Sequence, residues 1–175
     1  MIIQVDTRQK RNHHKEKDKW FKEHNVKTIS SKLLVGDYAV PSRMNIAIDT
    51  KASIQELIGD ICGKSHERFR NELIRAQESH IKLIILTEDN GGYCDRKKTI
   101  YNKPVTCVRD LFGWKNPRLF IFQGGKQKYP KATKGQTLAK CLITLQEKYG
   151  CEFSFTTKEN SGAEILRLLG IAEGV

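Results

Sequence analysis

Apolar positions along this chain fall into two kinds of pattern. Short runs rich in β-branched residues, Met1–Val5, Val26–Ile29, Tyr38–Val40, Ile46–Ile48, Ile81–Thr87 and Cys151–Thr156, read as strands. Between them the apolar residues take helical spacing. Lys15–His24, with Trp20 and Phe21, predicts a short amphipathic helix. A second helix starts at Ser53 and runs through Leu57 and Ile61. A third, Ser65–Ser79, carries Phe69, Leu73 and Ala76 on its inner face. A fourth carries Leu138, Cys141, Leu142, Leu145 and Tyr149, and a last one runs from Ser161 through Leu169.

The ends of these elements are marked as well. Ser53–Glu56, Thr133–Gln136 and Ser161–Glu164 each have the spacing of a capping box, and Gly150 and Gly170 stand where helices stop. Ile81–Thr87 is apolar almost throughout, as a strand buried on both faces must be. Helices interspersed among strands predict an α/β domain with a mixed, partly parallel sheet. The expected organisation is one domain over residues 1–175 with a basic subregion at about 91–135. The Gly124-Gly125-Lys126 turn lacks the spacing of a phosphate-binding P-loop, so no nucleotide cofactor is expected.

Composition narrows the class. With 38% hydrophobic and 29% charged residues, the chain is that of an ordinary globular protein. No run is long enough to span a membrane, and Met1-Ile-Ile-Gln-Val-Asp6 lacks the form of a signal peptide, which predicts an intracellular protein. Five scattered cysteines, Cys62, Cys94, Cys107, Cys141 and Cys151, predict free thiols rather than disulfides or a zinc site. His13 and His14 read as a solvated pair.

The formal charge of +11 is concentrated. Between Gly91 and Gly135 lie eleven Lys or Arg against Asp95 and Asp110, leaving twenty of the 31 basic and eighteen of the 20 acidic residues to the rest. A nearly neutral body with one cationic stretch predicts a polyanion-binding surface. Tyr93, Tyr101, Phe112, Trp114, Phe120, Phe122 and Tyr129 are interleaved with these charges. Such mixtures suit base stacking and phosphate contact. Phe120–Phe122 and Leu111–Phe112 nevertheless read first as anchors that pack the stretch on the body.

Candidate chemistry sits at residues 34–57. Tyr38–Val40 and Ile46–Ile48 flank the turn residues 41–45 and predict a hairpin. Asp49 and Lys51 stand two apart, so they share a face, and pairing about the turn brings Asp37 opposite that end. An Asp after a Gly is commonly a turn residue, and an Asp-x-Lys pair is commonly a solvated ion pair. Here the apolar run Ile46-Ala-Ile48 enters the charges without a break, so they stand either in a cleft or in water, and clefts with carboxylates are where chemistry tends to sit. Two carboxylates and an ammonium there could hold a divalent metal and activate a water. Asp6 and Arg8 form another pair two apart. Arg68, Glu72 and Arg75 make a charged stripe, either pairing within their helix or lining the edge of the site.

Val5-Asp-Thr-Arg8, Leu34-Val-Gly-Asp-Tyr38, Ile48-Asp-Thr-Lys-Ala-Ser-Ile-Gln-Glu-Leu57, Glu67-Arg-Phe-Arg-Asn-Glu-Leu73 and Leu83-Ile-Ile-Leu86, in this order, resemble the nuclease domain of the XPF family of structure-selective DNA endonucleases. The family is a variant of the PD-(D/E)xK nucleases, and the chain is most similar to its stand-alone prokaryotic and phage forms. The resemblance covers residues 2–88 by motif and 137–170 by element order.

It implies a restriction-endonuclease-like mixed sheet flanked by helices and a Mg²⁺- or Mn²⁺-dependent deoxyribonuclease cutting branched or flapped DNA, in repair or recombination. It places the protein in the cytoplasm of a prokaryote or of a phage-infected cell. It further implies that Asp37, Asp49 and the backbone carbonyl of Thr50 bind the metal, while Lys51 positions the attacking water. Asp6 could hold a second metal or orient the first shell, and Arg8, Arg68 and Glu72 line the site.

Several positions depart from the family pattern. Asp49 replaces a Glu, Thr50 an Arg, Gln55 a common Asp, and Gln9 a Glu. The tandem helix-hairpin-helix module of larger relatives is not expected within residues 1–175. The expected substitute for its DNA grip is the basic stretch, with Arg96, Lys97, Lys98, Lys126, Lys128, Lys131 and Lys134 as DNA contacts. The resemblance leaves room for a homodimer or a partner subunit, for an inactive DNA-binding member, and for a resolvase or restriction-type enzyme with the same core.

Overall fold

A computed structural model describes residues 1–8, 15–94 and 101–171. Gln9, His13, His14, Arg96, Lys97 and Lys98 lie outside the described residues. The core is a six-stranded sheet built from β1 (Ile2–Asp6), β2 (Lys27–Ser31), β3 (Tyr38–Val40), β4 (Arg43–Lys51), β5 (Lys82–Thr87) and, at one edge, the last strand of the chain, Glu152–Phe155. Its spatial order is last strand, β5, β4, β3, β1, β2. β1 pairs parallel with β2 and antiparallel with β3; β3 and β4 are antiparallel; β4, β5 and the last strand run parallel. This is the mixed, partly parallel sheet that the interspersed helices predict.

The hairpin forms as the turn residues indicate, although β4 starts at Arg43 and leaves only positions 41 and 42 for the turn. Tyr38 pairs with Ile48 and Ala39 with Ala47, and a bulge then brings Val40 opposite Arg43. Gly36 closes the approach to β3 with φ +71°, and a Cβ there would stand 2.9 Å from the Ile48 carbonyl oxygen. Only glycine accepts both conditions.

Helices cover both faces of the sheet. Alternation along β4 sends Ala47 to one side, with Leu83 and Ile85 of β5, against α2 (Ile54–Cys62), α3 (His66–Glu78) and α4 (Gly135–Tyr149). Ile48, Ile84 and Leu86 point to the other side. There they meet Phe21 of α1 (Lys15–Glu23) and Ile165 and Leu166 of α5 (Ser161–Leu168). Burying both faces explains the unbroken apolar run of β5, in which residues 83–87 are all buried. Among the described residues, no helix is long and apolar enough to cross a membrane.

Three expectations need correction. The Ser53 box holds in part: Glu56 N donates to Ser53 Oγ at 3.1 Å, while the Glu56 carboxylate accepts from Ala52 N, one residue before the cap. Thr133 caps nothing. α4 begins at Gly135, where a Cβ would overlap the carbonyl oxygens of Leu111 and Trp114, and the Thr133 carbonyl accepts from Asn116 Nδ2. Close packing, not side-chain capping, sets that end. At α5 the cap is Asn160; Ser161 Oγ donates to the Lys158 carbonyl, and Glu164 turns to Ser154 and Arg167.

A further correction concerns the basic stretch. Val105, Val108, Leu111 and Trp114 anchor it to the α2/α4 layer, through 3₁₀ turns at Val108–Phe112 and Pro117–Phe120. Phe112, Phe120, Ile121 and Phe122 do not pack on the body; all four are exposed. Short strand pairs follow the same outer course. β6 (Tyr93–Cys94) pairs with β7 (Tyr101–Asn102), and β8 (Phe122–Gln123) with β9 (Lys126–Gln127), so the last sheet strand, Glu152–Phe155, is β10. Among the described residues Cys62, Cys107, Cys141 and Cys151 are free thiols.

Candidate active site

Extending the β3/β4 register by one residue sets Asp37 opposite Asp49. Asp49 and Lys51 share the sheet face of Ala47, toward α2 and α3. The three sequence-singled residues therefore meet at one end of β4, beneath two helices. Asp49 and Lys51 are both buried, and Lys51 Nζ stands 2.7 Å from Asp49 Oδ2. The ammonium is thus paired directly with the carboxylate, and Asp49 Oδ2 has no further hydrogen-bond partner among the described residues.

Asp37 is fixed from the strand it faces. Its Oδ2 accepts from Thr50 N at 2.9 Å and from Thr50 Oγ1 at 2.6 Å, while its own N–H donates to the Ile48 carbonyl at 2.6 Å. Thr50, where the family has Arg, thus gives up a cation and supplies a hydroxyl that orients one carboxylate oxygen. Glu72 enters from α3, and its Oε1 accepts from Gly36 N at 3.0 Å, tying that helix to the loop before Asp37. The charged stripe of α3 therefore faces the site edge. Arg68 follows it outward, reaching Asp60 at 3.7 Å with an exposed side chain.

Asp60 is the member that the sequence reading missed. It projects from α2 and holds Lys51 Nζ at 2.7 Å, so the ammonium sits between two buried carboxylates. Its signal was present: Asp60 lies three residues after Leu57 on the buried stripe of an amphipathic helix, where an acid needs a partner. The Phe69 ring, 5.3 Å from Lys51 Nζ, closes another side.

Burial pushes the Asp49 carboxyl up to about 8; Lys51 opposes this, and the nearby charges of Asp37 and Glu72 add to it. Burial alone would lower the Lys51 pKa, but Asp49 and Asp60 outweigh it and leave it raised. Both carboxylates therefore favour the charged form of Lys51.

Asp6 and Arg8 form a unit beside this group. Arg8 Nε donates to Asp6 Oδ2 at 2.7 Å, its backbone N–H reaches Asp6 Oδ1 at 3.3 Å, and Nη2 donates to the Leu33 carbonyl. The Asp6 hydrogen bond raises the Arg8 pKa, with smaller help from Glu72 and Asp37. Both Asp6 oxygens are thus engaged, and a metal on Asp6 would have to displace the guanidinium. The backbone bond from Asp6 N to the Asp37 carbonyl, 2.8 Å, joins the two sites.

On the opposite sheet face Lys17 of α1 forms a buried ion pair with Glu88, whose N–H also donates to the Lys51 carbonyl at 2.8 Å. The strand end that carries Lys51 is therefore clamped from both sides. A concavity of about 760 Å³ beside α5 is lined by Glu164 and Arg167 and not by Asp37, Asp49 or Asp60.

Asp37 and Asp49 are the residues that could hold a divalent ion. Asp37 and Asp49 offer hard oxygens, and a metal at Asp49 Oδ2 would have to share or displace the Lys51 ammonium 2.7 Å away. Among the described residues no three His, Cys, Asp or Glu side chains enclose a metal by themselves.

Of the expected DNA contacts, Lys126, Lys128, Lys131 and Lys134 are exposed on the outer course of the basic stretch. The structure does not bring them to the carboxylates; they ride on the segment from 115 to 134. Its base is joined to α2 by Gln55 Nε2, which donates to the buried Asn116 Oδ1 at 2.8 Å. Gln55, another departure from the family pattern, thereby acquires a structural role.

The sheet order and the helices on its two faces define the mixed α/β fold of XPF nucleases. XPF from Aeropyrum pernix superposes with a TM-score of 0.61 at 15% identity, over 97% of this chain and 63% of that one. XPF from Aeropyrum pernix in complex with DNA gives 0.58 at 16% identity, over 97% of this chain and 64% of that one. This chain spans a little under two thirds of those proteins. The ERCC4 domain family model matches residues 5–169, and the chain belongs to that family. No curated protein matches it in sequence.

Proposed function

We propose that this protein is a Mg²⁺- or Mn²⁺-dependent DNA endonuclease that hydrolyses phosphodiester bonds in branched or flapped DNA. One observation carries the reading: in a chain of the ERCC4 domain family, Asp37, Asp49 and Lys51 converge at the end of one strand. Asp37, Asp49 and the Thr50 backbone carbonyl would hold the ion. When bound, it supplies a Lewis acid that lowers the pKa of water and neutralises charge growing on the scissile phosphate.

The protein's own groups then have separate tasks. Lys51, held protonated between Asp49 and Asp60, donates to the attacking water and favours its anionic form by charge rather than by taking a proton. Thr50 keeps Asp37 in one orientation, and Glu72 holds the Gly36 turn that presents it. Arg8, locked by Asp6, is placed to contact a phosphate next to the one being cut. Attack of water on phosphorus breaks one P–O bond and leaves a phosphate on one end and a hydroxyl on the other.

Labelled single-stranded, duplex, flap and four-way DNA, each incubated with Mg²⁺, with Mn²⁺ and with chelator, test the reading. Metal-dependent cutting of the flap above the others is the expected result. Preference for the four-way junction would mark a resolvase, and binding without cutting would mark an inactive member.

A further inference from the structure

The segment from Leu111 to Gln146 holds seven Lys or Arg and no Asp or Glu. At its tip β8 and β9 form a hairpin whose two-residue turn, Gly124-Gly125, has φ of +58° and +74°, the left-handed pair that a tight hairpin demands. Gln127 Nε2 donates to the Leu119 carbonyl and Lys128 N to the Ile121 carbonyl, so the hairpin is tied to the 3₁₀ turn before it. On this braced unit Phe120 and Phe122 are 42% and 64% exposed. Large rings are normally buried, and these two stand in water amid lysines. The Tyr129 ring lies 5.6 Å from both the Arg118 guanidinium and Lys128 Nζ, which holds those cations on the same unit.

We propose that this hairpin is a stacking platform for unpaired DNA: Phe120 and Phe122 take successive bases while Arg118, Lys126 and Lys128 track the phosphates. The surface combines the two properties that single strands require, exposed aromatic faces and an unbroken positive field, and that field repels a second copy of this basic chain. A duplex hides its base faces, so the rings select for an unpaired arm. The mounting gives the platform a use. Asn116 accepts from Gln55 and donates to Thr133, closing the base of the segment onto the first turn of α2, four residues past Lys51. An arm stacked there is held at a fixed offset from the carboxylates. The inference rests on the nuclease reading for that use, but not for the binding itself.

Fluorescence anisotropy with a labelled poly(dT) strand and with a blunt duplex, measured over a salt series, tests it. The double variant Phe120→Ala/Phe122→Ala should lose roughly tenfold or more in single-strand affinity, given the worth of a stacked base. Its salt slope should not change, because no charge is removed, and its duplex affinity should hold. Phe122→Trp should bind single strands as well as the wild type does. Lys126→Ala/Lys128→Ala should weaken both DNA forms and flatten the slope by about 0.7 per lysine on single strands.

Unchanged single-strand affinity in the phenylalanine variant overturns the platform, and so does an equal loss on duplex. If that variant keeps its DNA affinity but turns from a dimer into a monomer by light scattering, the rings serve self-association and the inference is wrong. A protein that binds single strands through the rings yet cuts nothing would sink the nuclease reading and leave the platform standing.

Discussion

Asp49→Asn is expected to stabilise the metal-free protein while it abolishes the chemistry. The Asp49 pKa is raised from 3.8 to about 8 in the folded state. Between those values the folded protein holds a proton that the unfolded chain has released, so stability falls as pH rises through that window. At about 1.4 kcal/mol per pH unit, the cost from burying this acid reaches a ceiling of roughly 5 kcal/mol near pH 8. Asparagine is nearly the same shape and cannot ionise.

Lys51 keeps Asp60 as a partner in the variant, its pull on Asp49 is already contained in the raised value, and relaxation and water entry around a buried charge cut what is realised. A net gain of about 2 kcal/mol at pH 8, or roughly 4–8 °C in Tm for a chain of this size, is the expected result. The gain should shrink toward pH 5. Differential scanning fluorimetry at several pH values in chelator reads it directly, and added Mg²⁺ should stabilise only the wild type. A variant less stable than wild type across the whole range would refute the reasoning, because Asp49 would then be part of the structure's support rather than a strained site.

Asp60→Asn should lower the cleavage rate roughly ten- to hundredfold with little change in DNA affinity, since Asp60 acts through Lys51; single-turnover kinetics beside a binding isotherm separate the two. Lys17→Met leaves Glu88 buried without its cation and should cost about 3–5 kcal/mol in urea denaturation. Neutralising Lys126 and Lys128, or Lys97 and Lys98, should each flatten the salt dependence of duplex binding by about 0.9 per lysine, read from anisotropy against salt concentration.

How much of this was legible in the sequence depended on the range of the interaction. The hairpin around residues 41–45 and the placement of Asp37, Asp49 and Lys51 follow from alternation and turn chemistry, which are local, and both formed. Asp60 was passed over because its partner is on another element, though an acid on the apolar stripe of α2 was a visible anomaly. The caps at Thr133 and Ser161 failed for a related reason: at α4, contact of Gly135 with carbonyls from a distant turn outweighed a short-range hydrogen bond.

Phe120 and Phe122 illustrate the opposite error. Apolar residues are expected inside, but Val105, Val108, Leu111 and Trp114 already fill the space on that layer, and the hairpin carries its rings into water. Gln55 looked like a lapse from the family pattern and proved to hold Asn116, a contact across 61 positions that no local pattern encodes.

The most direct test of the site is single-turnover cleavage of a labelled flap in Mg²⁺ by wild type, Asp49→Asn and Lys51→Met at equal concentration, each first shown to bind the DNA. The account predicts cutting by the wild type and a loss of about a thousandfold or more in both variants, comparable with removal of other groups that stabilise transition-state charge. Equal rates for all three would contradict it, placing the chemistry at another centre.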